Sequence, residues 1–432
     1  MRIVVIGAGL AGMTSAFTLH ERGHEVTVLD ASDGPASGAS FANGGMLHAS
    51  QAFPWNTPGI ALSALGMLFG RDAALKVRAG ALLANPGWFT RFLTASRRDA
   101  FERHAAANAR LARLSLSETA RIGQLAGIAY DRAESGTLKV FRNPGAFDAA
   151  RHAAARFAEA GVRFEALPAA ACLARAPGLA PLGGEIAGGL WFPDDVSGDA
   201  RRFCLGLSAY LADRGVTFAW GRRVSGFETG PAGSVRVVRA GRERFGADAV
   251  VLCAGAETPR LARLAGFAVD IVPIKGYSLT LDPAPAAALA GAPFIDETTH
   301  VAVCPLGGRL RVAGTAELAG YDWRLAPARL AQIGRYLSRL FPELDPAALE
   351  RASPWAGLRP MTATGMPIID RAPVPGMFLN AGHGHLGWTL AAGSAALLAA
   401  LVDRDELPVA GAPFCYRGRA RPGATQGRAA TA

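Results

Sequence analysis

The first thirty residues of the chain follow the hydrophobic pattern of a strand, a helix and a second strand. Residues 3–6 are Ile, Val, Val and Ile, a β-branched run that predicts a strand buried on both faces of a parallel sheet. Residues 13–22 predict a helix that ends at Gly23, and residues 25–30 predict a second strand that ends in an acid. This order predicts a parallel sheet covered by helices, as in an α/β domain.

The middle of the chain changes from buried runs to alternation. Residues 86–127 predict a helical region with amphipathic spacing, and residues 199–214 predict another helix. Residues 216–220 predict a strand, and residues 249–253 predict a buried one. From residue 270 to residue 316 apolar and polar positions alternate, which predicts antiparallel strands with one open face. Such a sheet, inserted between parts of the first domain, suits the roof of a substrate cavity.

Three glycines, Gly7, Gly9 and Gly12, stand between the first strand and its helix in the spacing G-x-G-x-x-G. In a dinucleotide site the first permits the tight turn, the second lets the backbone approach the pyrophosphate, and the third lets helix and strand pack closely. Asp30, at the end of the second strand, would accept hydrogen bonds from the adenosine ribose. The cofactor contacts expected here are Gly7, Gly9, Leu10, Ala11, Gly12 and Asp30.

A second glycine-rich stretch, residues 37–46, follows the second strand. Its small and polar residues suit a backbone pressed against a large planar ligand and its phosphates. The first motif alone leaves NAD and FAD open, but an NAD enzyme would not need a second cradle. Ser40, Asn43 and Gly44 are the contacts expected from this stretch.

The formal net charge of +10 comes almost entirely from arginine, since the lysines are Lys76, Lys139 and Lys275 alone. The arginines are scattered, and no nucleic-acid-binding module is present, so we expect no nucleic-acid partner. Contact with an anionic membrane surface stays open. Residues 60–69, apolar and close to arginines, are the candidate contact surface, with a buried helix as the alternative.

The cysteines have neither metal-ligand nor C-x-x-C spacing. They are Cys172, Cys204, Cys253, Cys304 and Cys415. We expect them to be core residues in a reducing compartment, and we expect no metal site.

The N-terminal apolar run is too short for a signal peptide. The longest apolar run, residues 390–402, is shorter than the roughly 20 residues that span a bilayer. The expected location is therefore cytoplasmic, with peripheral contact at the inner face of the membrane as an option.

The C-terminal quarter brings together an arginine and a glycine-rich loop. Arg359 is expected in a tight turn, and residues 377–381 predict a strand that opens into a loop at residues 382–389 before a long apolar helix. The N–H groups at that helix start would stabilise negative charge on a reduced flavin. The expected cofactor contacts from this part of the chain and from the turn after residue 253 are Ala254, Gly255, Gly382, Gly384, Leu386, Gly387, Trp388 and Thr389.

In combination, these motifs resemble the D-amino acid oxidase and dehydrogenase superfamily, most closely the catalytic (small) subunit of bacterial D-amino acid dehydrogenases. The resemblance extends from residue 3 to residue 402. The segments that carry it are residues 7–12, 40–43, 275–278, 296–298, 311–317, 357–362, 382–384 and 386–389. Residues 44–48 depart toward glycine-oxidase-like members, and His385 stands where a smaller residue is usual.

The resemblance implies noncovalent FAD and a Rossmann-like FAD-binding domain interleaved with a mixed antiparallel-sheet substrate domain, an α/β fold with an α+β second domain. The expected boundaries are 1–88, 196–260 and 355–415 for the FAD-binding domain, 89–195 and 261–354 for the substrate domain, and 416–432 for a flexible tail. Arg359 matches the arginine that pairs with the substrate carboxylate. Tyr277 is expected in the pocket wall with its hydroxyl facing inward, with a core tyrosine as the alternative. The further pocket candidates are Met46, His48, His300 and His385.

The activity that the resemblance implies is oxidative deamination of D-amino acids, with hydride transfer from Cα to flavin N5. The electrons would pass to a quinone or another respiratory acceptor. The alternatives are an oxidase, or a dehydrogenase for glycine or proline-type amino acids that acts as one subunit of a complex. A flavoprotein that modifies RNA and a noncatalytic partner subunit are weaker alternatives, because only the net charge supports the first and the intact glycine motif opposes the second.

Overall fold

The structure, a computed structural model, describes residues 1–60, 75–158 and 161–417. Its strands are β1 (Arg2–Ile6), β2 (Glu25–Leu29), β3 (Met46–Leu47), β4 (Leu75–Val77), β5 (Thr137–Phe141), β6 (Glu165–Leu167), β7 (Gly188–Phe192), β8 (Val196–Ser197), β9 (Thr217–Ala219), β10 (Gly226–Thr229), β11 (Val235–Ala240), β12 (Glu243–Gly246), β13 (Ala249–Leu252), β14 (Ile271–Leu281), β15 (Phe294–Asp296), β16 (Val301–Leu306), β17 (Arg309–Leu318), β18 (Ser353–Thr362), β19 (Ile368–Arg371) and β20 (Met377–Ala381).

The α-helices are α1 (Leu10–Glu21), α2 (Ala79–Leu83), α3 (Pro86–Ala95), α4 (Arg98–Leu125), α5 (Pro144–Ala158), α6 (Ala169–Arg175), α7 (Ala200–Ala212), α8 (Thr258–Leu264), α9 (Ala286–Leu289), α10 (Pro327–Leu340), α11 (Pro346–Arg351) and α12 (Gly387–Asp403). Short 3-10 helices cover Ala49–Gln51, Pro177–Glu185, Pro231–Gly233, Gly255–Glu257, Gly384–Leu386 and Ala412–Phe414.

A mostly parallel sheet carries the N-terminal strand–helix–strand unit. Its order in the described chain is β19, β20, β13, β1, β2, β9, and only β19 is antiparallel to its neighbour. Strand β1 pairs with β2 on one side and with β13 on the other, and its residues 3–6 are buried on both faces, Ile3 and Val5 in one apolar cluster and Val4 and Ile6 in another. The predicted α/β unit is confirmed, and its central position explains the continuous apolar run.

Helices α1, α4, α7 and α12 pack on one face of this sheet around the largest apolar cluster. The packing of α12 against α4 depends on Gly393, because a Cβ there would lie 2.7 Å from the carbonyl oxygen of Leu111. The helical stretch Gly384–Asp403 is long and apolar enough to cross a bilayer, but 78% of its most apolar window is buried in the protein. Its place in the core accounts for an apolar composition on every side.

The second sheet is mostly antiparallel and forms the roof of a cavity. In the described residues its order is β18, β14, β17, β16, β15, β5, β7, β6, and β4 pairs with the end of β17. Helix α10 packs on the face away from the first sheet through residues such as Leu337 and Leu340. The other face looks onto the ends of the parallel strands, which is the usual position for ligands in open α/β sheets.

Two strands and one helix pair or pack across the expected domain boundaries. Strands β4 and β18 belong to the second sheet, although residues 1–88 and 355–415 were assigned to the first domain. Helix α4 packs on α12 of the first domain, although residues 89–195 were assigned to the second. The amphipathic pattern of α4 predicted the helix correctly, but such a pattern does not tell which partner covers the apolar face.

The expectation that Arg359 lies in a tight turn is wrong. Residues 353–362 form one strand that pairs with β14 along its whole length, with Arg359 opposite Ile274. Pro354 and Pro360 are compatible with this because β18 is the edge strand of the sheet. Of the free cysteines, Cys172, Cys204, Cys253 and Cys304 are buried as expected, whereas Cys415 is exposed.

Candidate active site

A cavity of about 1450 Å³ lies between the ends of the parallel strands and the open face of the second sheet. Pockets for drug-sized ligands measure roughly 300–1,000 Å³, so this one has room for a dinucleotide together with a small substrate. The residues predicted from widely separated motifs meet in its wall. They are Gly7, Gly9, Leu10, Ala11, Asp30, Ser40, Asn43, Gly44, Met46, His48, Ala254, Gly255, Tyr277, His300, Arg359, Gly384, His385, Gly387 and Trp388.

The turn between β1 and α1 has the shape of a pyrophosphate cradle. Gly9 is the N-cap of α1, and a Cβ there would meet only the Ser40 hydroxyl, at 3.2 Å, so its Cα faces the cavity. Gly12 does not border the cavity. A Cβ on it would lie 1.7 Å from the Gly7 carbonyl oxygen, so its task is close packing of α1 on the turn. The N–H groups of the first turn have no intrahelical partners; that of Leu10 donates to the Ser40 hydroxyl at 3.1 Å, and such a helix start favours the binding of an anion.

Asp30 holds the turn together from the end of β2. Its Oδ2 accepts the Ala8 N–H at 2.7 Å, and its Oδ1 accepts the Ser32 N–H at 2.8 Å. Each carboxylate oxygen retains a lone pair for a further donor, and Asp30 borders the cavity. The carboxylate can therefore fix the phosphate turn and still accept a ribose hydroxyl.

Two side chains of the second sheet hold the second glycine-rich stretch, residues 37–46, by hydrogen bonds to its backbone. Ser278 donates its hydroxyl to the Ala42 carbonyl at 2.8 Å, and Arg311 donates to the Asn43 carbonyl at 3.0 Å. Ser278 and Arg311 are both buried, so these bonds are shielded from water. The loop that closes the cofactor cavity is thus attached to the substrate sheet as well as to its own domain.

The opposite wall of the cavity is formed by β20 and the start of α12. Asn380 donates from Nδ2 to Ser15, while its Oδ1 is buried with no hydrogen-bond partner among the described residues. Leu386 and Thr389, both predicted contacts, lie in the core, and Gly382 packs on Thr362. Thr389 acts indirectly, because its Oγ1 accepts the backbone N–H of His48 at 3.2 Å.

Sequence reasoning missed a group of cavity residues after β9. Arg222, Arg223 and Val224 border the cavity beside Asp30, and the Arg222 N–H donates to the Asp30 carbonyl at 2.7 Å. The strand before them was predicted, but its pairing with β2 was not. Because β9 is parallel to β2, the residues after it reach the same edge of the sheet as Asp30.

Arg359 has no carboxylate partner among the described residues. Its Nη1 is buried with no hydrogen-bond partner among the described residues, and its Cζ lies 5.5 Å from the centre of the Trp55 ring. Burial lowers the pKa of Arg359 to about 10, so the guanidinium stays protonated at neutral pH. A buried charge that lacks a partner is costly, and a bidentate carboxylate is the ligand that a guanidinium fits best.

Two histidines stand near Arg359 and both are neutral. Burial lowers the pKa of His48 to about 4 and that of His385 to about 3. The His385 ring lies 5.2 Å from the Trp55 ring, and the Nδ1 of His48 has no hydrogen-bond partner in the described part of the chain. Because neither imidazole carries a charge at neutral pH, Arg359 is the group of this cluster that can balance a carboxylate.

Tyr277 borders the cavity, but its hydroxyl does not face it. The phenol donates to Oε2 of Glu317 at 3.0 Å, within an ion-pair network that also contains Lys275 and Arg329. Alternation along β14 explains this, because Gly276 faces the cavity and its neighbours face α10. A catalytic role for Tyr277 stays a prediction, and the expected inward direction of its hydroxyl is wrong.

The remaining pocket candidates differ in exposure. Met46 is a buried residue of the cavity wall and packs in a cluster with Cys304 and Leu306. His300 is exposed at the rim, with a backbone φ of 51°. Their positions agree with a pocket wall, but the direct contact with a substrate predicted for each of them stays a prediction.

A family described as FAD dependent oxidoreductase (DAO) matches this chain over residues 2–401. The chain belongs to this family. The DAO family comprises FAD-dependent enzymes, so the predicted cofactor and the resemblance to the D-amino acid oxidase and dehydrogenase superfamily are confirmed.

Relatives and solved structures extend this likeness over nearly the whole chain. A D-amino acid dehydrogenase of Rhizobium johnstonii is 38% identical over 402 residues, which cover 93% of this chain and 96% of the relative. A D-amino acid dehydrogenase of Cereibacter sphaeroides is 40% identical over 407 residues, which cover 93% of this chain and 92% of the relative. The crystal structure of glycine oxidase from Geobacillus kaustophilus has a TM-score of 0.72 at 23% identity, with 96% and 98% covered. That of L-proline dehydrogenase from P. horikoshii has a TM-score of 0.71 at 18% identity, with 94% and 95% covered.

The cavity of this DAO-family chain fits FAD on two observations. Gly9 exposes backbone to the cavity where a pyrophosphate needs close approach, and Asn380 offers a buried oxygen that has no partner in the described residues. We expect Gly7, Gly9 and Ser40 to hold the phosphates, Asp30 to hold the ribose, and residues 384–388 to border the flavin end. When bound, FAD supplies the two-electron acceptor.

Below the FAD cavity, a buried acid anchors the segment that carries His48. Asp195 accepts the Ser50 N–H at 3.3 Å and shares a hydrogen bond with the Ser50 hydroxyl. Burial raises the pKa of Asp195 to about 7, above the value of 3.8 for an exposed Asp. Protonated Asp195 therefore stabilises the fold fully below pH 4, and this contribution is lost as the pH rises toward 7.

Asp195→Asn should remove this pH dependence, because an amide mimics the protonated acid at every pH. The difference in unfolding free energy between variant and wild type should shift in favour of the variant by about 1.4 kcal/mol per pH unit within that window. Thermal unfolding at pH 5 and pH 8 measures it. An identical difference at both pH values would show that Asp195 is ionised throughout.

Proposed function

We propose that this DAO-family protein catalyses the oxidative deamination of D-amino acids to 2-oxo acids and ammonia. The observation that carries the proposal is Arg359, whose guanidinium Nη1 is buried without a hydrogen-bond partner among the described residues, in the wall of a cavity that also holds a dinucleotide cradle. Relatives 38–40% identical over nearly their whole length are D-amino acid dehydrogenases, and they support the choice of substrate class and chirality.

The chain contributes binding and orientation to this reaction. Arg359 holds the substrate carboxylate in two parallel hydrogen bonds, which fixes the direction of the Cα–H bond. Trp55 lies beside both the guanidinium and the His385 ring, so the carboxylate subsite is walled by aromatic surface that excludes water. Exclusion of water strengthens the ion pair between Arg359 and the substrate carboxylate, and so keeps the substrate in the correct orientation.

The bonds balance without a base from the protein. The α-ammonium first gives up a proton to water, which leaves a lone pair on nitrogen. The Cα–H bond then breaks with its electron pair leaving as hydride, while that lone pair forms the C=N bond of an iminium. Water then adds to the carbon of this product, and ammonia leaves, which yields the 2-oxo acid. Hydride transfer to FAD is the cofactor's chemistry, so the task of the chain is to present a neutral amine in the correct orientation.

Anaerobic bleaching of the flavin absorbance tests the proposal. The purified FAD-loaded protein is mixed with a panel of D- and L-amino acids, glycine, and D- and L-proline. We expect fast bleaching with D-amino acids and slow or no bleaching with their L-enantiomers. Fast bleaching by glycine or prolines alone would instead support a glycine-oxidase-like or proline-dehydrogenase-like activity, and the absence of bleaching with every amino acid would contradict the proposal.

The electron acceptor is proposed to be a quinone or another respiratory carrier, with the protein in the cytoplasm and in peripheral contact with the inner face of the membrane. The names of the dehydrogenase relatives support an acceptor other than oxygen. The candidate membrane segment, residues 60–69, lies outside the described residues apart from Ile60. Reoxidation of the bleached protein tests the acceptor: fast recovery with a soluble quinone and slow recovery with oxygen is expected, and the reverse would identify an oxidase.

A further inference from the structure

A backbone irregularity lies in the roof of the substrate end of the cavity, at Thr315. Gly276 pairs with Ala316 and Tyr277 pairs with Gly314, so Thr315 is an extra residue in β17, a β-bulge. Its φ is 55°, in the left-handed region that β-branched residues avoid. Strained conformations of this kind persist where the surrounding structure enforces them, and they concentrate at functional sites.

The hydroxyl of Thr315 adds a second unfavourable feature to the same residue. Thr315 is 5% exposed and borders the cavity, and its Oγ1 has no hydrogen-bond partner among the described residues. A buried hydroxyl without a partner costs stability, and most buried polar side chains have one. Strain and an unsatisfied hydroxyl thus coincide at one residue of the cavity wall.

Strand pairing brings Thr315 to the same part of the cavity roof as Arg359. The Arg359 side chain crosses over Gly276, because a Cβ on this glycine would lie 2.5 Å from the Cζ of Arg359. Gly276 is opposite Ala316 in the next strand, and Thr315 is the residue adjacent to Ala316. Facing residues of antiparallel strands have Cα atoms about 4.5–5.5 Å apart. A ligand carboxylate bound by Arg359 therefore has its α-substituents within reach of Thr315.

We propose that Thr315 binds the α-amino group of the substrate whose carboxylate is held by Arg359. The inference rests on the proposed amino acid oxidation. It gives the chiral Cα a second point of attachment to the protein, through its amino group, beside the carboxylate held by Arg359. A threonine hydroxyl offers two acceptor lone pairs and one donor, so it accepts an N–H of the amine without supplying negative charge. It therefore suits the neutral amine, whose lone pair forms the C=N bond, better than the ammonium.

The test is anaerobic flavin reduction by Thr315→Val, with Thr315→Ser as the conservative variant. Valine keeps the size and β-branching of threonine at the strained position, so the bulge is retained while the hydroxyl is lost. The limiting rate of flavin reduction by a D-amino acid should fall about tenfold to a hundredfold in Thr315→Val, and Thr315→Ser should recover most of it. Affinity for isobutyrate, a carboxylate that lacks an amine, should change less than about threefold in both variants.

Thr362→Val is the matched control, since Thr362 is buried in the same sheet and donates to the Met366 carbonyl at 2.7 Å. It should affect amino acid oxidation and isobutyrate binding alike. Thr315 does not bind the amine if Thr315→Val reduces at the wild-type rate, or if isobutyrate binding weakens as much as reduction slows. These outcomes are read against wild-type protein that bleaches with amino acids. A wild type that no amino acid bleaches contradicts the proposed function itself.

Discussion

Arg359→Ala should retain its FAD and lose about two to three decades of kcat/KM for amino acids. A charge-assisted bidentate pair in a dehydrated pocket is worth about 2–5 kcal/mol, much of it the cost of leaving one charge without a partner. The flavin cradle is formed by other segments, and in the described part of the chain Arg359 makes no hydrogen bond through Nη1 that the fold would lose. Flavin absorbance and steady-state rates of the purified variant measure the two effects separately.

Two controls separate carboxylate binding from a structural role of Arg359. Arg359→Lys should recover only part of the lost activity, because an ammonium supplies charge without the planar fork. Amines that lack a carboxylate should be poor substrates of the wild type, and neither variant should change their rates much. If Arg359→Ala bleaches with amino acids as fast as the wild type, the carboxylate lies elsewhere and the site is misplaced.

Gly9→Val should fold normally and bind less than about a tenth of the FAD that the wild type binds. Gly9 has a φ of −76°, which valine tolerates, and a Cβ there enters the cavity instead of the core. The valine side chain would occupy the space that the pyrophosphate needs. The ratio of flavin absorbance to protein absorbance, with a circular dichroism spectrum to verify the fold, measures the result.

Gly34→Val is the matched control for the cofactor experiment. Gly34 follows β2, the neighbour of β1, and among the described residues no heavy atom beyond its own chain neighbours lies within 4 Å of the position its Cβ would take. Full flavin content in Gly34→Val together with loss in Gly9→Val would place the phosphates at the start of α1. Normal flavin content in Gly9→Val would mean that the dinucleotide is bound elsewhere.

The parts of this fold that could be predicted from sequence are those set by local chemistry. The phosphate turn follows from Gly7 and Gly12, because the helix could not approach the turn if Gly12 carried a side chain. Strand β20 and helix α12 follow from continuous apolar runs in a buried position. The prediction of β14 and β17 rested on alternation, which is what a sheet with one covered face imposes.

The parts that could not be predicted depend on pairing between distant segments. Glycine and proline around Arg359 indicated a turn locally, but ten residues of pairing with β14 hold the segment extended. Helix α4 was recognised as amphipathic while its partner was not. The bulge at Thr315 could not be predicted, because the sequence of β17 alternates without a visible interruption. An extra residue becomes apparent only when β17 is paired with β14.

The strand order of the first sheet sets the moment in biosynthesis at which this site can form. Strand β1 is the first to leave the ribosome, yet its neighbour β13 follows more than 240 residues later, and α12, which covers the sheet, ends at Asp403. Until residue 252 has been made, β1 lacks its neighbour β13, and until residue 403 has been made, the unit lacks the cover of the complete α12. The FAD cavity, whose wall includes residues as far apart as Gly7 and Trp388, is therefore complete only after both sheets have assembled, and the edge of β1 stays unpaired until β13 reaches it.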